Sequence, residues 1–194
     1  MKAHIHVWKK HYGFLNESIS GKKTYKGCDV MFYIFLDVDG VLNTEMDWKR
    51  PFTLNSKCIS CILEYMAYLN ERHNHQVGIV LTSSWKTGFN SEGNHAVYIK
   101  ELIHAMAPEK IRILDKTEEL DQLDRGLSIL DYCKAHNIRD YIVFDDDKSL
   151  FKTAPELNVY YTNAARGFTK EDAKKLINSD KSGWQRIKNF FGGK

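Results

Sequence analysis

Five short apolar runs are distributed along the chain, and polar residues follow each of them. The runs are rich in β-branched and aromatic residues without polar alternation, which is typical of strands buried on both faces of a parallel sheet. They lie at 32–36, 76–81, 111–114, 141–144 and 158–162. The segments between them carry apolar residues at helical spacing. The pattern therefore predicts an α/β fold, a three-layer, doubly wound, mainly parallel sheet with helices on both faces.

Helices are predicted where capping residues precede apolar residues at helical spacing. Asn55 and Thr169 are such caps, and Pro108 ends the helix that precedes it. We expect helices at about 56–70, 94–107, 125–137, 169–178 and 184–191.

The chain divides at residue 31 into a basic extension and one domain. Residues 1–30 contain a brief alternation of apolar and polar residues at Ala3–Trp8, which predicts an edge strand or a hairpin. No role is assigned to this extension. Residues 31–194 are enough to bury a single hydrophobic core, and we expect them to form the main domain.

Composition narrows the class of protein. With 43% hydrophobic and 27% charged residues, the chain has a soluble, globular profile. No apolar run approaches the roughly 18 residues of a membrane span, and the first ten residues lack the apolar core of a secretory signal. We therefore expect a cytoplasmic protein without a membrane partner. The net charge of +3 permits a polyanionic substrate but does not require one.

Two carboxylates follow the first strand directly. Asp37 and Asp39 flank Val38, and Gly40 allows the backbone to turn sharply, so both side chains can converge on a cation. The alternative is an ordinary strand exit with two solvated aspartates. The carboxyl ends of strands are where open α/β sheets hold their ligands, which favours the first interpretation.

Polar residues also follow the second and fourth strands. Thr82 and Ser83 come after the second strand, and Asp145 and Asp146 come at the end of the fourth. The carboxyl ends of parallel strands meet at one edge of a sheet, so these side chains are expected to lie near Asp37.

The complete set of motifs resembles the haloacid dehalogenase (HAD) superfamily of phosphotransferases. The motifs are D-V-D-G-V-L-N, L-T-S-S-W-K, R-G-x-x-I-L, F-D-D-D and G-F-T-x-x-D, and the resemblance runs from about residue 31 to 177. It is greatest to HAD domains associated with nucleic-acid repair proteins and their phage and bacterial relatives. It implies that the strands lie in the order 3-2-1-4-5.

The resemblance also implies a division of roles among the acids. Asp37 would attack phosphorus and form an aspartyl-phosphate, and Asp39 would act as general acid and base through its side chain. Mg²⁺ would be held by Asp37, by the backbone carbonyl of Asp39, and by Asp145 or Asp146. Asp147 is expected to cap the turn that begins at Lys148, and the alternative is that it supports one of the metal ligands.

Phosphate binding is assigned to a hydroxyl and a fixed cation. Ser83 is preferred over Thr82 because it stands two residues before Trp85, as in the subgroup pattern. Arg125 matches the position of the cation in the third motif, while Lys86 and Lys116 remain alternatives.

The spacing leaves little room for the cap domain that HAD enzymes of small metabolites generally carry. A capless enzyme has an open cleft, which the family associates with macromolecular substrates. We expect aromatic surface and phosphate-binding cations to line it, from Asn43, Trp48, Lys49, Arg50, Trp85 and Lys86.

The leading hypothesis is a Mg²⁺-dependent phosphomonoesterase that acts on a nucleic-acid end, such as a 3′-phosphate, or on a nucleotide. One alternative is a phosphatase of a phosphoprotein or a small sugar phosphate. Another is a non-catalytic module that binds phosphorylated ends. The sequence does not indicate the oligomeric state.

Overall fold

The structure is a computed structural model that describes residues 31–118 and 124–191. The strands are β1 (Phe32–Leu36), β2 (Val77–Leu81), β3 (Arg112–Lys116), β4 (Tyr141–Asp145) and β5 (Val159–Tyr161). The helices are α1 (Ser56–Arg72), α2 (Val97–Met106), α3 (Arg125–His136) and α4 (Lys170–Phe191). The edge strand or hairpin predicted within residues 1–30 lies outside the described residues.

The five strands form one sheet in the order β3-β2-β1-β4-β5, and every neighbouring pair is parallel. Strand β1 is central, with Ile34 in register with Ile79 of β2 and Ile142 of β4. This order confirms the prediction. The carboxyl ends of β1, β2 and β4 therefore lie side by side at one edge.

Successive residues of β1 enter two different cores, as the pleat of a strand requires. Ile34 and Leu36 pack in a cluster with side chains of α1, α2 and α4. Phe35 faces the other side and packs with side chains of α3. Both faces of the sheet are covered, which confirms the three-layer architecture and explains why the strand carries no polar alternation.

The C-terminal region differs from the prediction, because α4 is one continuous helix instead of two. Asp172 accepts hydrogen bonds from the backbone and hydroxyl of Thr169 and stabilises the start of the helix. Farther along, Asp180 accepts a hydrogen bond from the Tyr68 hydroxyl at 2.6 Å and pairs with Arg72. These contacts with α1 hold the segment where the sequence pattern predicted a break.

No cap domain is inserted anywhere in the described ranges. The connection from β1 to α1 contains only one short 3-10 turn, Asp47–Lys49. In those ranges, too, no helix combines the length and the apolar content that a membrane span needs.

Candidate active site

The sheet itself brings the candidate residues together. The backbone N–H of Asp37 donates to the carbonyl of Phe144 in β4 at 3.0 Å, and that of Thr82 donates to Leu36 in β1 at 3.0 Å. The hydrogen-bond ladder thus continues one residue past β1 and β2. As a result Asp37 lies between Thr82 and Asp145, the residue that ends β4.

Three carboxylates converge at this edge. Asp37, Asp145 and Asp146 each offer an oxygen, and these oxygens lie within 4.8 Å of one another. Gly40 makes the convergence possible, because it has a φ of +74° and a Cβ there would lie 2.4 Å from the Asp146 side chain. Only glycine combines that backbone conformation with so close an approach.

Arg125, the first residue of α3, joins the cluster as its cation. Its Nη1 lies 2.8 Å from Asp37 Oδ1 and also contacts Asp145 Oδ2. Asp124 caps the helix by accepting a hydrogen bond from the backbone of Leu127, so the arginine leaves the helix in a fixed position. The Lys116 ammonium donates instead to the carbonyls of Lys86 and Phe89, both at 3.2 Å. These contacts favour Arg125 over Lys116 as the fixed cation of the site. The same role for Lys86, which is half-buried, remains a prediction.

The charges of the cluster do not balance. Three acids face one guanidinium, and burial opposes ionisation of each acid. Burial and repulsion from Asp145 and Asp146 raise the pKa of Asp37 to about 8, although Arg125 lowers it. The pKa values of Asp145 and Asp146 are raised as well, chiefly by burial. Burial opposes the charge of Arg125, but Asp37 and Asp145 outweigh it and raise the pKa of the guanidinium.

The cluster fits a magnesium ion. Oxygen ligands, mainly carboxylates, are those that Mg²⁺ prefers, and a divalent cation would neutralise the charge that Arg125 leaves unpaired. Asp37, Asp145 and Asp146 are the described side chains suited to hold it. Ligation by the backbone carbonyl of Asp39 stays a prediction.

Asp39 has a different environment, although it stands only two residues from Asp37. Its Oδ1 accepts a hydrogen bond from Asn43 Nδ2 at 2.8 Å, and its Oδ2 accepts one from Trp85 Nε1 at 3.0 Å. Its side chain is not a member of the three-carboxylate cluster among the described residues. The two acids of the motif are therefore held by different kinds of partner.

The two candidate hydroxyls are also unlike each other. The Ser83 hydroxyl accepts a hydrogen bond from the backbone of Trp85 at 3.3 Å and caps the turn Ser84–Gly88. The Thr82 hydroxyl is buried and has no hydrogen-bond partner among the described residues. A buried hydroxyl without a partner is costly, and a phosphoryl oxygen would satisfy it. The geometry therefore favours Thr82 over Ser83, the reverse of the preference drawn from the sequence.

A scan against protein-family models matches residues 33–173 to the HAD domain in Swiss Army Knife RNA repair proteins. The match covers both aspartates of the first motif, Thr82, Arg125 and the acids at the end of β4. The chain belongs to this family. No curated protein and no solved structure shows a significant match. Membership supports a phosphatase-type function for this HAD domain.

Two of the residues expected to line the cleft of the HAD domain are buried instead. Asn43 and Trp85 are each only 1% exposed, so the Trp85 ring is not an open surface for stacking. Both contact Asp39, Asn43 from the loop after β1 and Trp85 from the turn after β2. Trp48 is 45% exposed and Arg50 is exposed, and their contact with a substrate stays a prediction.

Sequence reasoning missed two other residues of the HAD domain. Phe52 stacks on Tyr98 with ring centroids 3.8 Å apart and lies edge-on to Trp85 at 5.3 Å. It has a φ of +56°, an unusual conformation for a bulky residue. The Thr162 hydroxyl donates to the carbonyl of Gly40 at 2.7 Å and so ties the turn after β1 to the end of β5. Neither residue stands in a recognisable motif. The one sequence signal for Thr162 is that it is a polar residue directly after a strand.

Asp147 occupies the place predicted for it. Its side chain accepts a hydrogen bond from the backbone of Ser149 at 2.8 Å and caps the turn Lys148–Phe151. Its own backbone N–H donates to Asp145 Oδ1 at 2.9 Å. The third acid of the run therefore supports the site without entering the cluster.

Proposed function

We propose that the protein is a Mg²⁺-dependent phosphomonoesterase that works through an aspartyl-phosphate and acts on a nucleic-acid end or a nucleotide. The observation that carries the proposal is the contrast between two aspartates of one motif. Asp37 lies in a buried cluster with Asp145, Asp146 and Arg125, and Asp39 lies beside it with uncharged partners.

In the first step the Asp37 carboxylate attacks phosphorus. A bond forms from its oxygen to phosphorus while the bond from phosphorus to the leaving oxygen breaks. Asp39 gives its proton to that oxygen, which departs as an alcohol. In the second step water attacks phosphorus, Asp39 takes a proton from it, and the bond between Asp37 and phosphorus breaks to release phosphate.

Arg125 and Thr82 hold the phosphoryl group during both steps. The guanidinium offers several N–H donors to the non-bridging oxygens, and the Thr82 hydroxyl offers one more. A bound Mg²⁺ would supply further charge neutralisation, which allows one anion to approach another.

The substrate class is proposed from the open edge of the sheet and from the family. No described cap encloses the site, and the loop after β1 presents the exposed side chains of Trp48 and Arg50. An aromatic ring and a guanidinium suit a base and a backbone phosphate next to the reacting end. The RNA repair proteins whose HAD domain the chain matches support the same class.

A substrate panel tests the proposal. Phosphate release should be measured with oligonucleotides phosphorylated at the 3′ or the 5′ end, with nucleotides, with sugar phosphates and with a phosphopeptide. We expect a kcat/KM for a 3′-phosphorylated oligonucleotide at least about 100-fold above that for the sugar phosphates. A preference for the sugar phosphate or the phosphopeptide would support the other phosphatase classes. Tight binding without release, with or without Mg²⁺, would identify a binding module instead.

Metal binding can be measured without turnover. Mg²⁺ should raise the Tm of the wild-type protein by mass action, and Asp146→Asn should lose most of that shift. Asp131→Asn is the matched control, because Asp131 is an exposed acid on α3 outside the cluster. An equal Mg²⁺-dependent shift in all three proteins would contradict the assignment of the metal site.

A further inference from the structure

The Asp39 carboxylate is held at both of its oxygens by side-chain donors. Asn43 Nδ2 lies 2.8 Å from Oδ1 and Trp85 Nε1 lies 3.0 Å from Oδ2. The two donors come from different elements, the loop after β1 and the turn after β2. Two contacts to the two oxygens determine both the position and the rotation of a carboxylate. Each oxygen keeps a second lone pair that can accept a proton, and the protonated oxygen can then donate it.

The orientation of the Asn43 amide is determined by its other partners. Its Oδ1 accepts hydrogen bonds from the backbone of Gly40 and from Trp48 Nε1, both at 2.9 Å. Both partners are donors only, so the amide cannot be turned to place its nitrogen there. Its Nδ2 must then face acceptors, which are Asp39 Oδ1 and the carbonyl of Thr53 at 3.0 Å.

Trp85 is equally constrained. Its indole N–H can only donate, and the side chain is 1% exposed, so the donor needs an acceptor within the protein. Asp39 Oδ2 is that acceptor. Phe52 and Tyr98 lie edge-on to the indole ring at 5.3 and 5.7 Å and hold it in place.

We infer that Asn43 and Trp85 are positioning residues that hold Asp39 in line for proton transfer. The inference rests on the proposed function, in which Asp39 is the acid and base. Trp48 extends the arrangement to the surface, because its exposed ring donates to the same amide oxygen that orients Asn43. Asn43 and Trp85, which were first expected to touch the substrate, thus act on it through Asp39.

The distinguishing measurement is the dependence of kcat/KM on the leaving group. With saturating Mg²⁺ at one pH, p-nitrophenyl phosphate and phenyl phosphate present almost the same shape, but the nitro group lets its phenoxide leave without a proton. Loss of the aligned acid should therefore slow phenyl phosphate more. We expect Trp85→Phe to raise the kcat/KM ratio of nitrophenyl to phenyl ester about 10-fold, within the range that a small misplacement causes. Asn43→Ser should change it in the same direction, and Asp39→Asn should change it most.

The matched control is Tyr68→Phe. Like Trp85→Phe, it removes an aromatic side-chain donor to a carboxylate, here Asp180 on α4. It leaves both hydrogen bonds to Asp39, so the ratio should stay within about twofold of wild type. Thermal melts establish that each variant is folded. As a reading independent of turnover, the indole N–H resonance that disappears in Trp85→Phe should shift in Asp39→Asn.

The outcomes separate the two proposals. If the wild type is active and folded Trp85→Phe slows both esters equally, the positioning role is wrong and the phosphatase proposal stands. If the wild type releases phosphate from neither these esters nor the panel substrates, both proposals fail. If Trp85→Phe does not fold, two other measurements decide: the ester ratio of Asn43→Ser and the indole N–H resonance in Asp39→Asn. An unchanged ratio or an unchanged resonance then overturns the inference.

Discussion

Asp37 and Asp39 are the same residue two positions apart, yet the protein surrounds them differently. Asp37 is 3% exposed and shares its space with two other acids and one arginine. Asp39 is half-buried and accepts hydrogen bonds from an amide and an indole. The Asp37 carboxylate is therefore held by opposite charge, whereas the Asp39 carboxylate is held by directional hydrogen bonds.

The difference shows how one short motif can supply two chemical roles. A nucleophilic carboxylate must meet an anionic phosphate, so positive charge has to be concentrated around it. A group that transfers a proton must reach one oxygen at the correct angle, so its orientation has to be controlled. The surroundings of each aspartate match the role proposed for it.

The largest expected effect comes from exchanging each acid for its amide. Asp37→Asn should lower kcat/KM by about 10⁴-fold or more for every ester, because the nucleophile is lost. Asp39→Asn should cost about 10²–10⁴-fold, and the loss should grow as the leaving group worsens. Steady-state phosphate release with a series of aryl phosphates measures both. Losses from Asp37→Asn that vary with the leaving group as steeply as those from Asp39→Asn would remove the distinction between the two roles.

Removing the cation of the cluster is expected to have the next largest effect. Arg125→Met takes away the guanidinium that contacts Asp37 and Asp145, and kcat should fall about 10²–10³-fold as transition-state charge loses its partner. Arg112→Met is the control, since Arg112 is exposed at the start of β3. A kcat within threefold of wild type in Arg125→Met would return Lys86 to consideration as the fixed cation.

Thr82 and Ser83 offer a smaller but sharper test. Thr82→Val removes a buried hydroxyl that lacks a partner among the described residues, so the Tm should stay the same or rise while kcat/KM falls about 10-fold. Ser83→Ala removes only the acceptor of one long hydrogen bond, so kcat/KM should change less than threefold. Thermal melts and initial rates with one substrate compare the pair. The reverse ranking would restore the preference for Ser83.

The smallest expected effect is on stability without metal. The Asp37 carboxyl keeps its proton in the fold up to about pH 8, whereas in the unfolded chain it ionises above its usual value of 3.8. Between these values the unfolded state binds fewer protons, so stability falls as the pH rises. The variant Asp37→Asn has no carboxyl group at this position, so this fall in stability is absent from it. In EDTA its Tm advantage over wild type should grow by at least about 2 °C, or about 1 kcal/mol, from pH 5.5 to pH 8.

A constant difference in Tm across that range would show that Asp37 is ionised in the metal-free fold. The comparison with Asp37→Asn matters because His73, which lies outside the cluster, titrates in both proteins and its contribution largely cancels.

Much of the fold could be predicted from the apolar runs. Apolar and polar residues do not alternate along a strand when both of its faces are covered. The strands β1, β2 and β4 could therefore be recognised as uninterrupted apolar runs. The break expected near Asn178 was wrong, because contacts of Asp180 with Tyr68 and Arg72 outweigh the local pattern. Such contacts join residues more than 100 positions apart, and no local spacing reveals them.

The sequence by itself determined which acids follow which strands, and parallel strands with aligned carboxyl ends were enough to bring Asp37, Asp145 and Asp146 together. Tertiary structure decided which groups complete the site. Packing buried Trp85 and Asn43 against Asp39, left the Thr82 hydroxyl without a partner, and engaged Lys116 with backbone carbonyls. The positions of the strands depend on hydrophobic periodicity, which can be read from the sequence itself. Hydrogen-bond partners depend on distances of about 3 Å between segments far apart in sequence, and those exist only after folding.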